Sequence, residues 1–95
     1  MPAFIVFLKE KTRDQATLDI YSAGAPKSLD GHALTPRVVY GAIEVLEGPE
    51  IEGAVIFEFP DMAAARNWYY SPAYQEVVQL RFKAADYSAF ILEGV

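Results

Sequence analysis

Residues 3–8, Ala-Phe-Ile-Val-Phe-Leu, and residues 54–59, Ala-Val-Ile-Phe-Glu-Phe, are apolar at alternate positions of both parities. Successive side chains of a strand point to opposite faces of its sheet. As strands, both segments therefore want cover on two sides. Phe4, Val6 and Leu8 oppose Ala3, Ile5 and Phe7, and Val55, Phe57 and Phe59 oppose Ala54, Ile56 and Glu58. The chain is 95 residues long. It has helical material for one such face and none to spare for the other.

The remaining pattern fills in the order. Thr12, with Gln15 three residues on, is expected to cap a first helix. That helix carries Leu18, Tyr21 and Ala25 on one face, and Pro26 bends or ends it. A short helical piece runs on to Leu29, and Gly31 stops it. Residues 37–46 read as a second strand, with a bulge near Gly41. Residues 47–53 form an acidic hairpin connection, a solubilising turn rather than a calcium loop. After the strand at 54–59, Pro60 and Asp61 open a helix with Met62, Ala65, Trp68 and Tyr69 on or beside its inner face. Ser71-Pro72 ends it and starts another, which carries Tyr74, Val77, Val78 and Arg81. Residues 87–93 make the last strand.

The order is β-α-β-β-α-β in a single domain spanning 1–95, an α+β chain of the ferredoxin-like pattern. An antiparallel four-stranded sheet with helices on one face leaves its other face bare. Packing two bare faces about a two-fold axis predicts a sheet-to-sheet homodimer. Composition agrees: 53% hydrophobic and 14% aromatic residues are more than one small core hides.

Net charge is −5, with no basic cluster, which argues against nucleic acid and anionic membranes as partners. There is no cysteine, so disulfides and thiolate chemistry are out, and a reducing cytoplasm is a natural setting. The apolar start is too short for a membrane span and lacks a basic n-region, so neither a span nor a signal peptide is expected.

Several segments together resemble a bacterial family known as domain of unknown function 1330. They are Glu-Val-Leu-Glu-Gly (44–48), Ile-Phe-Glu-Phe-Pro-Asp through Ser-Pro-Ala-Tyr-Gln (56–75), residues 80–95, and the turn around Tyr21 and Pro26. The resemblance implies a ferredoxin-like fold of the dimeric α+β barrel superfamily and no assigned activity. Members often carry Gly-Gly after the first helix and Arg-Gly-Gly in the second strand. This chain has Gly31-His32-Ala33-Leu34 and Tyr40-Gly41-Ala42 there. The wider superfamily includes cofactor-independent monooxygenases, lactone isomerases and haem enzymes, so fold does not decide function.

Five residues are candidates for a site. His32, the only histidine, is a candidate proton carrier or a solvated loop residue. Tyr21 offers a hydroxyl to a ligand or packs in the core. Trp68 and Tyr74 wall an apolar pocket, or are core or dimer interface, whereas Tyr70 is expected outside. Arg81 grips a carboxylate or pairs with Glu58 or Glu44. No cofactor or metal site is expected, since one histidine without cysteine or an acidic cluster is a poor ligand set. Three readings follow: a dimer binding a small apolar or acidic organic ligand between helices and sheet; a cofactor-independent oxygenase or isomerase using His32; or a structural module with no small-molecule site.

Overall fold

β1, Ala3–Thr12, is the spine of the sheet, pairing antiparallel with β3 (Gly53–Phe59) on one side and β4 (Ala85–Glu93) on the other. β2, Thr35–Val39, joins the outer edge of β3, giving the order β2-β3-β1-β4. The helices are α1 (Gln15–Gly24), α2 (Met62–Tyr69) and α3 (Pro72–Ala84), with a 3-10 turn over Ala25–Leu29 following α1. The computed structural model describes residues 1–95.

Register puts the two apolar sets of each strand on opposite faces. Ile5 lies between Phe57 and Ile91, and Phe7 between Val55 and Ala89. This is the helix side, where Ala3, Ile5, Phe7, Val55 and Phe59 are buried with Ala65, Trp68, Tyr74 and Val78 of α2 and α3. On the other side Val6 lies between Ile56 and Phe90, and Phe4 between Glu58 and Leu92. No helix or strand covers that face, residues 43–51 border only its Leu8–Ser88 end, and Phe90 and Leu92 remain 41% and 51% exposed. Only 15 of 95 residues are buried. Part of the apolar content anticipated from the composition is thus left on the open face rather than absorbed in the core.

The helix starts follow local chemistry. The Asp61 carboxylate accepts from the Ala64 N–H at 2.8 Å. Ser71 Oγ accepts from the Tyr74 N–H at 3.3 Å and donates to the Trp68 carbonyl at 2.7 Å, so one hydroxyl ends α2 and begins α3. Pro72 occupies the first turn of α3, where its missing N–H costs nothing. Gly31 adopts φ +80° just past the 3-10 turn, a stop that a side chain would resist.

Two sequence expectations are corrected. Thr12 does not cap α1. It remains in β1, paired with Ala85, and its Oγ1 donates to Glu52 at 2.6 Å. Asp14 is the cap, accepting from the Thr17 N–H and, at 2.7 Å, from its hydroxyl; Gln15 instead donates to Asp19. A carboxylate is the stronger acceptor, and the strand outlasts its apolar segment. The second strand is 35–39 rather than 37–46. Tyr40 takes φ +54°, which turns the chain off the sheet, and residues 40–52 contain no strand. The irregularity in β2 falls between Pro36 and Val38, where proline lacks a ladder N–H, rather than at Gly41.

Candidate functional site

A cavity of about 300 Å³ opens on the helix side, between α1 with its 3-10 turn and the sheet. Its floor includes Phe7, Val55 and Phe57 from the sheet. Trp68 and Tyr74 close its inner end: their ring centroids are 4.3 Å apart, and Phe59 stacks on Trp68 from beneath. Trp68 is 1% exposed and Tyr74 fully buried. The indole Nε1–H donates to Ser28 Oγ at 3.3 Å, and Ser28 donates to the Ala25 carbonyl at 2.6 Å. The ring stripe of α2 and α3 is therefore both core and cavity wall.

Two tyrosine pairs supply the polarity. Tyr21 of α1 and Tyr74 of α3 meet hydroxyl to hydroxyl at 2.8 Å. Tyr40 and Tyr87 meet at 2.6 Å. The second pair spans the sheet along one register row, in which Gly53, Lys9 and Tyr87 are neighbours. Tyr40 lies over Gly53, where an added Cβ would fall 2.5 Å from its Cδ1, and its ring also stands 5.1 Å from Lys9 Nζ. The missing side chain at Gly53 and the left-handed backbone at Tyr40 together allow this crossing.

Burial, first of all, holds the Tyr21, Tyr74 and Tyr87 hydroxyls above the usual phenol range. The neighbouring hydroxyl adds to this at Tyr21 and Tyr87, while the Arg81 charge opposes it at all three. The hydroxyls are thus neutral donors at physiological pH.

Arg81 is 3% exposed, and its Nε has no hydrogen-bond partner. It pairs with neither of the carboxylates expected for it. Glu58 takes Arg37 instead, at 2.8 Å, and Glu44 is exposed in the segment after β2. The other ion pair joins Arg13 to Asp86. The guanidinium is caged by rings, with its carbon 4.7 Å from the Tyr87 centroid and 5.3 Å from that of Phe7. It stands one layer behind the cavity wall.

Of the five candidates, the structure brings Tyr21, Trp68 and Tyr74 into the wall and sets Arg81 behind it. His32 is half-buried in the turn beyond Leu29 and is not part of the lining. Tyr70 is 67% exposed. Tyr40, Tyr87 and Phe57 were missed as site residues; the signal available for Tyr40 was its place directly before a glycine at the end of an apolar run. The lining holds no histidine or carboxylate, and nowhere do three or more His, Asp or Glu side chains converge.

Fold and cavity together define a ferredoxin-like α+β protein with an aromatic pocket between its helices and its sheet. Residues 2–95 match the family model "Domain of unknown function (DUF1330)", and the chain belongs to that family. No curated protein matches it significantly. Among solved structures it is similar to a protein of unknown function from Rhodopseudomonas palustris, with TM-score 0.76 and 19% identity over 99% of this chain and 82% of that one. It is also similar to a dimeric ferredoxin-like protein of unknown function from Thermobifida fusca, with TM-score 0.67 and 12% identity over 99% and 92% of the two chains. A third is SnoaB, a cofactor-independent oxygenase from Streptomyces nogalater, with TM-score 0.63 and 9% identity over 99% and 93%. At these identities the likeness is one of fold.

Proposed function

We propose that this protein is a homodimer that binds a small organic molecule in the cavity between α1 and the sheet. The observation that carries the reading is the cavity itself: about 300 Å³, lined by thirteen residues of which eleven are hydrophobic, with tyrosine hydroxyls as its main polar groups. Small-molecule sites have this make-up, an apolar wall with a few placed donors, and volumes of about 300–1,000 Å³. A volume at the low end suits a ligand of one or two rings. The bare sheet face supports the dimer, as does the description of the Thermobifida fusca relative as dimeric. The acidic, cysteine-free sequence fits a cytoplasmic protein that does not engage nucleic acid.

The oxygenase relative raises an enzymatic reading. In this cavity the only phenolic or acidic proton carriers are the tyrosines, and His32 stands outside it. Binding is the function the geometry supports best.

Trp68 is the only tryptophan, so its indole N–H gives a single reporter signal. Benzyl alcohol titrated into the ¹⁵N-labelled protein is expected to shift that signal saturably, and Ala25→Leu, which fills the cavity, is expected to abolish the shift. An unresponsive Trp68 signal, or an equal response in the filled variant, would refute the reading.

A further inference from the structure

The cavity is apolar, yet behind its wall lies a buried cation without a counter-ion. Burying a guanidinium costs several kcal/mol unless it is paired and hydrogen-bonded. Arg81 has rings on its flanks, no carboxylate in ion-pair reach and an unsatisfied Nε. Three of the rings around it, those of Phe7, Tyr21 and Tyr87, also line the cavity. Its field therefore falls on the cavity through a low-dielectric layer, where charge is weakly screened.

The tyrosine pairs translate that field into hydrogen-bond donors. In each pair one hydroxyl donates to the other, which leaves one proton per pair for a third acceptor. Four hydroxyls thus offer two donors, and no side chain of the lining carries a negative charge to compete for them. Donors bordering an apolar space, backed by an unpaired cation, are complementary to an acceptor that brings the missing negative charge.

We propose that the ligand is a small organic acid bound as its anion, with an apolar ring or chain against Phe57 and Trp68 and its carboxylate or enolate oxygen at the tyrosine hydroxyls, where Arg81 supplies the compensating charge from behind the wall. The inference rests on the cavity reading above and narrows it to one chemical class. Arg81 acts as a positioning residue, through Tyr21, Tyr74 and Tyr87.

The test compares three probes of nearly equal shape: benzoate, benzamide and benzamidine, which are anionic, neutral and cationic at neutral pH. Binding is read at the Trp68 indole signal. Benzoate is expected to bind at least about tenfold more tightly than benzamide, the weight of one charge-assisted hydrogen bond, and benzamidine not at all. Arg81→Met is expected to bring benzoate to the level of benzamide while benzamide itself is unchanged. If that variant does not fold, Tyr87→Phe tests the same preference by removing a hydroxyl from half-buried β4, and benzoate should lose more affinity than benzamide. Benzamide binding as well as benzoate in the wild-type protein would overturn the anion inference and leave the cavity reading standing. No response to any probe would overturn both.

Discussion

The hydroxyl of Tyr21 lies 2.8 Å from that of Tyr74, fifty-three residues along the chain, and ties α1 to α3 where both border the cavity. Tyr21→Phe keeps the ring and leaves the buried Tyr74 hydroxyl without this partner. Urea denaturation should show a loss of about 1–3 kcal/mol, the cost of an unsatisfied buried group.

The same pair makes stability sensitive to alkali. Both hydroxyls are held above the usual phenol range, chiefly by burial. A group whose pKa is raised in the folded state contributes its full stability below the unfolded pKa, near 10 for tyrosine. That contribution is lost as pH rises beyond it, because the unfolded chain then releases protons the folded one retains. Stability should be flat from neutral pH to about pH 9 and fall above pH 10. The fall should be shallower in Tyr21→Phe, as followed by denaturation at stepped pH.

Arg81→Met should not destabilise the protein. The four rings around the guanidinium, Phe7, Tyr21, Phe82 and Tyr87, contribute about 0.5–2 kcal/mol as cation–π partners. Removing an unpaired buried charge relieves several, and no carboxylate is orphaned by the change. Chemical denaturation should give a midpoint equal to or above the wild-type value, although the variant loses its preference for anions.

Gly53→Ala tests how Tyr40 is held. The new Cβ would sit 2.5 Å from Tyr40 Cδ1, so the ring must swing away. Tyr40 is 45% exposed and can move into solvent, so the stability loss should stay at the low end of the roughly 1–3 kcal/mol typical of overpacking. The Tyr40–Tyr87 contact would break, and ligand affinity should fall more than stability does.

The bare face gives an assembly prediction. Light scattering at micromolar concentration should return twice the 10.5 kDa chain mass. Val6→Asp, at the centre of the open face, and Phe90→Glu, on its edge strand, should each give monomers with native circular dichroism. A wild-type monomer would contradict the sheet-to-sheet arrangement.

The sequence is informative where an effect acts locally. Proline, serine and aspartate at residues 60–72 act locally, so the break between α2 and α3 and the caps Asp61 and Ser71 were readable directly. The double apolar patterning of residues 3–8 and 54–59 was equally plain, because strand faces alternate whatever the fold. The end of β2 was not readable. Ile43, Val45 and Leu46 continue the apolar alternation, but a single left-handed residue, Tyr40, removes them from the sheet. The Tyr40–Tyr87 bridge was hidden for a different reason. Its two residues come from opposite edges of the sheet and meet only because strand order brings Gly53 and Lys9 between them. The helical spacing of Arg81 after Val77 and Val78 points it inward, and it is buried. Its lack of a carboxylate follows from register: Glu58 pairs with Phe4 on the open face, across the sheet from Arg81, where Arg37 takes it.

The most direct measurement is a crystal structure of the protein grown with saturating benzoate. The account predicts electron density for the probe between α1 and the sheet, its ring against Phe57 and Trp68 and its carboxylate within hydrogen-bond distance of a tyrosine hydroxyl. A cavity closed by its own side chains, or holding only water at that concentration, would contradict it.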